Sequence, residues 1–280
     1  MTAIIDTHCH VFDLTRFPLP EGPGYKPGPN EVGTSDEFCA VLDAHGVAHA
    51  VLVQPSGYGT DNRAILDAMQ RHPGRFRAIA VIDPAMSDRE MGVMSDAGVR
   101  GVRFNLQSYR SDALDRGAER FLDRLAEIGW FAQVFADDAQ WAHIGPALRR
   151  SGVTVLVDHF GVLDPAPGLQ QSGFQAVLAL GREGRAFAKL SAPFRISRAP
   201  AFADLGPFAD ALLAGFGIER CLWGSDWPFI NFPAGFSYAN AVRAASAWVP
   251  DPQDRVRLLW TNPARVFGFP EGSRNSAGPG

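Results

Sequence analysis

The first apolar run of this 280-residue chain ends in Asp6-Thr7-His8-Cys9-His10. Residues two apart on an extended chain point to the same side, so His8 and His10 can converge on one point, an arrangement that suits a metal or an oxyanion. His159 follows the run Val153-Thr-Val-Leu-Val-Asp158, and Asp226 follows Cys221-Leu-Trp-Gly. Each has an ordinary alternative. Two histidines can share a strand by chance, a lone histidine after a strand is more often structural, and an aspartate there can cap the next helix. Brought together, one carboxylate and three imidazoles would instead make a base with electrophilic or metal-binding partners. A planar guanidinium holds a carboxylate through two parallel hydrogen bonds, and Arg103 and Arg195 stand near the ends of two further apolar runs. Arg100, Arg149 and Arg150 read as surface cations. Cys9 lies between the two histidines, but strand alternation turns it away from them, into the wall. No G-x-S-x-G elbow, C-x-x-C pair or H-E-x-x-H helix is present.

Something must carry these residues to one place. Eight short apolar runs begin near Ala3, His49, Arg77, Arg100, Phe131, Val153, Ala186 and Cys221. Between them lie stretches with helical spacing, among them Ser35 to His45, Ala64 to His72, Ala118 to Ile128 and Ala201 to Leu213. Eight β-then-α units predict an α/β fold, a single-domain (β/α)8 TIM barrel over residues 1–270. A doubly wound open sheet is the alternative, and it usually carries a glycine-rich nucleotide loop that this chain lacks. In a barrel the C-terminal ends of all strands open on one mouth, where His8, His10, His159, Asp226, Arg103 and Arg195 would meet. The segment 17–33, dense in proline and glycine, follows the first strand and should lie across that mouth. Residues 271–280 read as a flexible tail.

With 46% hydrophobic and 20% charged residues, the chain can bury a sizeable core. Its formal net charge is -4 and no basic block could neutralise a run of phosphates, which argues against nucleic acid as a partner. No apolar stretch approaches the roughly 18 residues that a membrane span needs. Cys9, Cys39 and Cys221 are odd in number and scattered, which suits free thiols in a reducing compartment. No secretion signal precedes the first strand, so a cytoplasmic protein is expected.

The combination of His8, His10, His159 and Asp226 resembles the amidohydrolase superfamily, over about Ala3 to Phe269. Within it, Phe17-Pro-Leu-Pro leading to Tyr25-Lys-Pro, Gln54-Pro-Ser-Gly-Tyr-Gly-Thr-Asp-Asn62, Gly101-Val-Arg-Phe-Asn105, Trp223-Gly-Ser-Asp-Trp-Pro228 and Thr261-Asn-Pro263 look like the 2-pyrone-4,6-dicarboxylate lactonase branch. The resemblance implies hydrolysis of a small carboxylated lactone, of pyrone-dicarboxylate, sugar-acid or muconolactone type. It assigns substrate carboxylates to Arg103 and Arg195 and a substrate contact to Tyr25, with Ser56 and Tyr58 as weaker candidates. The branch's pyrone-dicarboxylate enzyme carries a tyrosine where this chain has Gln133, a further substrate-binding candidate and a departure that bears on the choice of lactone.

Asp226 is then expected to activate water while His8, His10 and His159 polarise the carbonyl. No cofactor is required on this reading, although the same four residues could hold one zinc or manganese ion. A binuclear centre is not expected, because Gln133 cannot replace a bridging anion. Only Lys26 and Lys189 are lysines, and the role of Lys189 stays open. A metal-dependent decarboxylase, a lactone isomerase and a catalytically idle carboxylate-binding barrel are the alternatives.

Overall fold

The computed structural model describes residues 3–21, 25–107, 114, 117–232 and 235–270. The expected tail at 271–280 lies outside them. Eight strands, β1 (Ile4–Cys9), β2 (Val47–Val53), β3 (Phe76–Ala80), β4 (Val99–Asn105), β5 (Phe131–Phe135), β6 (Val155–Val157), β7 (Ala186–Ser191) and β8 (Cys221–Gly224), pair in parallel in sequential order. Each begins within two residues of an expected run. Around them run α1 (Ser35–Ala44), α2 (Arg63–Arg71), α3 (Asp88–Ala97), α4 (Glu119–Glu127), α5 (Asp138–Arg150), α6 (Ser172–Arg182), α7 (Pro193–Ile196), α8 (Gly206–Phe216), α9 (Tyr238–Trp248), α10 (Pro252–Val256) and α11 (Asn262–Phe267). This is a single-domain (β/α)8 barrel. Among the described residues no helix is long and apolar enough to cross a membrane.

Local sequence explains where the helices start. Thr34, Ser87 and Asp137 each form a capping box with Glu37, Glu90 and Gln140, so the free N–H groups of α1, α3 and α5 are satisfied from within. One expected helix differs. The helical spacing from Ala201 to Leu213 begins in a 3₁₀ turn over Pro200–Leu205, where Ala201 and Phe202 take positive φ, and α8 starts only at Gly206. Pro207 explains the restart, since its fixed φ suits a first helical turn.

The strands are buried on both faces and therefore read as nearly continuous apolar runs. Outward residues such as Leu52, Ala80 and Val157 pack against Phe38, Phe121, Trp141 and Phe174 of the helices. Inward residues Ile5, Val51, Val53, Ile79, Leu156 and Leu222 fill the barrel with Trp260, Phe267 and Phe269. Higher in the barrel, alternation brings Arg103, Gln133, Asp158 and Lys189 inward, so the apolar filling gives way to charge toward the mouth.

Strand β1 breaks that alternation. Asp6 pairs with Ala50 and Cys9 with Leu52, three steps on β1 against two on β2, the mark of a β-bulge. Counting from the inward Ile5, strict alternation would turn Thr7 inward. The extra residue lets His8 and His10 face inward instead, while Cys9 packs in the outer layer.

The barrel closes between β1 and β8 through irregular bonds. Asp226 N donates to His8 O at 2.7 Å and His10 N donates to Trp227 O at 2.8 Å. Thr7 Oγ1 donates to Trp223 O at 2.7 Å, and Asp6 Oδ1 accepts from Ser225 N at 2.9 Å. The strands meet so closely at Gly224 that a Cβ there would stand 2.6 Å from the Cβ of His8. Gly224→Ala should therefore cost about 1–3 kcal/mol as an overpacked core does. The measurement is a lower urea midpoint at unchanged m-value.

Candidate active site

A cavity of about 230 Å³ opens at the mouth, lined in part by His10, His159, Asp226, Arg103, Arg195, Tyr25 and Ser56. These seven expected site residues are thus brought together, and His8 lies directly behind them. Asp226 is fully buried at the end of β8 and its Oδ1 faces three imidazoles. His10 Nε2 is 3.3 Å away, His8 Nε2 3.7 Å and His159 Nε2 3.9 Å.

The other ring nitrogens are held from behind. His10 Nδ1 lies 2.7 Å from Val53 O and His159 Nδ1 2.8 Å from Ser191 Oγ, while His8 Nδ1 is hydrogen-bonded to Lys189 Nζ at 3.3 Å with Asp158 Oδ1 3.2 Å away. A carbonyl only accepts, so His10 must carry its proton on Nδ1. A neutral His10 then presents a bare lone pair to a carboxylate oxygen. Two such acceptors need a cation between them.

Burial pushes all three imidazoles toward the neutral form. It lowers His159 to about 4 against the opposing pull of Asp226 and Asp158, and lowers His8 and His10 in the same direction. Burial alone would raise the carboxyl of Asp226. The Arg195 guanidinium, which donates to Oδ2, opposes burial, and the carboxyl is held well below the usual range.

The two arginines differ. Arg195, on α7, donates from Nε to Asp226 Oδ2 and from Nη1 to Ile230 O at 3.2 Å, so its charge is already matched within the protein. Arg103, on β4, donates from Nη1 to Gln54 O at 2.9 Å and is only 8% exposed. Among the described residues no carboxylate pairs with it, and its Nε has no hydrogen-bond partner. Ser56 Oγ stands 3.5 Å from Arg103 and accepts from Asn105 Nδ2 at 2.8 Å. A buried guanidinium with an unmatched charge, at the wall of a cavity, is a receptor for an anion.

Two expected substrate contacts lie elsewhere. Tyr58 is buried beneath the loop with its ring stacked 5.7 Å from that of Phe12, and does not line the cavity. Gln133 also does not line it, because alternation buries its amide under His8 and His159, bonded to Asp158 and Lys189. Sequence reasoning passed over Glu31. Its carboxylate accepts from Tyr25 OH, from Gly28 N at 2.8 Å and from Asn231 N at 2.5 Å, clasping the proline-rich loop to the loop after β8. Asp158 was also missed, though an aspartate beside His159 at a strand end was a readable signal.

Two groups of described residues have the spacing for a metal ion, His8–His10–Asp226 and His8–Asp158–His159. The second is disfavoured, since the ammonium of Lys189 already stands 3.3 Å from Asp158 Oδ1. At the first, His10 turns a lone pair inward with a carbonyl acceptor on its far nitrogen, the pattern of a metal-binding histidine. His8, His10 and Asp226 are spaced to hold one divalent cation, with His159 Nε2 3.9 Å from Asp226 beside them.

Residues 5–269 match the amidohydrolase family model. The chain belongs to the amidohydrolase family. It is 32% identical over 280 residues to a 2-pyrone-4,6-dicarboxylate hydrolase of Comamonas testosteroni, covering 95% of this chain and 90% of that one. Similarity to a 4-sulfomuconolactone hydrolase of Hydrogenophaga intermedia is 31% identity over 94% of this chain and 88% of the other. A crystal structure of a probable 2-pyrone-4,6-dicarboxylic acid hydrolase from Acinetobacter baumannii, with citric acid bound, superposes with a TM-score of 0.86 at 31% identity, over 96% of this chain and all of that one. Within the family, the amidohydrolase described here stands with the pyrone-dicarboxylate lactonase-like branch.

The neutral imidazoles give the fold a defined acid response. An unfolded chain protonates His159 near 6.5, whereas the folded one does so only near 4. Between these values the unfolded state binds more protons, so stability is complete above about 6.5 and falls as the pH drops toward 4. Urea midpoints of chelator-treated protein should decline from pH 7 to pH 4.5, and His159→Asn should flatten the decline.

Proposed function

We propose that this amidohydrolase opens a carboxylated lactone by adding water across its ester bond. The observation that carries the reading is the unmatched guanidinium of Arg103 in the same cavity as the buried carboxylate of Asp226. The first selects an anionic substrate, and the second can accept a proton from water. The lactone hydrolases among its relatives support this class, and so does the citric acid held by the Acinetobacter protein.

Arg103, with Ser56 and Asn105 beside it, would bind the substrate carboxylate and fix the ring against Asp226. Arg195 keeps Asp226 ionised and has further N–H groups for the substrate, since its two protein contacts use only part of its five donors. As water attacks the lactone carbonyl, Asp226 takes its proton. The new C–O bond forms, the ring C–O bond breaks, and Asp226 returns the proton to the departing alkoxide oxygen. Phe12, Phe135 and Ile230 limit bulk water around the reacting ester.

The bond of His10 Nδ1 to Val53 O favours a different part for that histidine. Donation to an oxyanion needs a proton on Nε2, which a neutral His10 does not carry. Holding a cation needs the lone pair that it does present. His8, His10, His159 and Asp226 would hold a single zinc or manganese, which supplies Lewis acidity and a more acidic water when bound. The three cysteines are free thiols, which supports a reducing, cytoplasmic setting.

A panel of mono- and dicarboxylated lactones and their neutral esters, followed by acid release, tests the reading. Asp226→Asn should lower kcat by at least about 10²-fold, with substrate still bound. Arg103→Met should leave turnover of neutral lactones in place and cost carboxylated ones about 1.5–3 kcal/mol in kcat/KM. A panel without turnover, or an Arg103→Met protein with unchanged selectivity, overturns it. Titration of chelator-treated protein with zinc, followed by calorimetry, should show uptake of one ion per chain that His10→Asn abolishes.

A further inference from the structure

The rim of the cavity carries a charged group that the proposed mechanism does not use. Glu31 is half-buried and does not line the cavity, yet it bonds to two residues that do, Tyr25 and Asn231. Its Oε2 accepts from Tyr25 OH and from Gly28 N at 2.8 Å, and its Oε1 accepts from Asn231 N at 2.5 Å. Tyr25 is held at its other end as well. Its carbonyl oxygen lies so near the turn over Ser56–Tyr58 that a Cβ on Gly57 would come within 2.8 Å of it. Between these two anchors Tyr25 packs against the buried cluster of Phe12, Tyr58, Ala64 and Ile230.

Donor and acceptor chemistry fixes the polarity of this phenol. A phenol has one proton and an ionised carboxylate only accepts, so the Tyr25 proton is committed to Glu31. The bond from Tyr25 holds the Glu31 carboxyl below its usual range against partial burial, with Gly28 N and Asn231 N in support. Tyr25 therefore offers a ligand only the lone pairs of its oxygen, and a group placed there must donate. A carboxylate has nothing to donate. It could obtain the Tyr25 proton only by taking it from Glu31, which exchanges one charge-assisted bond for another and leaves two carboxylates side by side. Arg195 does not tip the balance, because its charge acts on Glu31 as well as on Asp226. Two carboxylates already share that one guanidinium, and its remaining N–H groups suit a neutral oxygen. A hydroxyl meets both demands, since it donates to a phenol oxygen and accepts from a guanidinium.

We propose that Glu31 is a specificity-determining residue: by taking the Tyr25 proton it turns that side of the cavity into an acceptor. The site then selects a lactone with one carboxylate, held by Arg103, and a hydroxyl directed at Tyr25, over a dicarboxylated lactone. Such selection works through the repelled group as much as through the one that is bound. Glu31 acts through Tyr25 and needs no contact with the substrate. The kinetic part of this proposal rests on the lactonase reading, and the binding part stands without it.

The test uses the full chain and three γ-lactones that share one carboxylate and carry hydrogen, hydroxyl or a second carboxylate at one further ring carbon. In the wild type, kcat/KM should be about 3–10-fold higher for the hydroxyl than for the hydrogen compound, the worth of one neutral hydrogen bond, and lowest for the dicarboxylate. Glu31→Gln leaves a neutral acceptor from which a substrate carboxylate can draw the Tyr25 proton. It should raise the dicarboxylate relative to the hydrogen compound by about 10-fold, the lower end for a hydrogen bond to a charged group. A merely loosened rim would lower all three lactones alike, whereas a change of polarity reorders them. Tyr25→Phe keeps the backbone bonds to Glu31, so it should lose the preference for hydroxyl and keep the discrimination against the second carboxylate; it decides the matter should Glu31→Gln fail to fold. The carbocyclic analogues of the three lactones cannot be hydrolysed, and their affinities by calorimetry should follow the same order. A wild type that takes the dicarboxylate as well as the hydroxylated lactone, a Glu31→Gln protein with unchanged ratios, or a Tyr25→Phe protein that still prefers the hydroxyl overturns the proposal. Turnover of none of the three would remove the lactonase reading and leave the calorimetric order to decide the polarity of the rim.

Discussion

The seam between β1 and β8 is the constraint on which the site depends. These strands do not share a regular ladder, and the barrel is closed by main-chain bonds at His8, His10, Asp226 and Trp227. The same few residues close the barrel and form the candidate site. Asp6 strengthens the join from the outer side, accepting from the backbone N–H groups of His8 and Ser225 and from the hydroxyl of Tyr238. Burial raises its carboxyl to about 6 in spite of those bonds. The geometry of the candidate site is thus fixed by backbone contacts rather than by long side chains, which have more rotamer freedom to lose.

From that seam the charges are arranged in levels. At the floor, Lys189 and Asp158 cancel one another behind His8. One level higher, Arg195 matches Asp226. At the wall, Arg103 is left without a carboxylate partner among the described residues and faces the cavity. This order offsets the cost of burying these groups, since Lys189 and Asp158, and Arg195 and Asp226, each stand within contact distance of an opposite charge, while Asp6 relies on hydrogen bonds from neutral donors. It also separates two arginines that look equivalent in sequence: Arg195 is committed to Asp226, and Arg103 is left facing the cavity.

Over the mouth, the proline-rich segment is fastened by one carboxylate. Glu31 ties Tyr25 and Gly28 to Asn231 beyond β8, so two loops distant in sequence share the rim of the cavity. Gly33 belongs to the same closure. It lies against the indole of Trp227, where a Cβ would fall 2.0 Å from the ring. A residue that reads as flexible in the sequence is required here by close packing.

The eight apolar runs, their order and the helices between them were legible from periodicity, because a parallel barrel buries both faces of every strand and writes that demand into consecutive residues. The strand ends then named His8, His10, His159, Asp226, Arg103 and Arg195, since in this fold the mouth is where those ends lie. Three matters were decided only by the tertiary structure. The bulge in β1 turns His8 and His10 inward, and it depends on the register with β2, which no local pattern specifies. Gln133 and Tyr58 were read as substrate contacts and are buried away from the cavity, because depth along a strand or beneath a loop is set by neighbours distant in the chain. Finally, the pairing of Arg195 with Asp226 and of Lys189 with Asp158 is settled by distances of a few ångströms across the barrel, and electrostatic energy falls with distance in space whatever the separation in sequence.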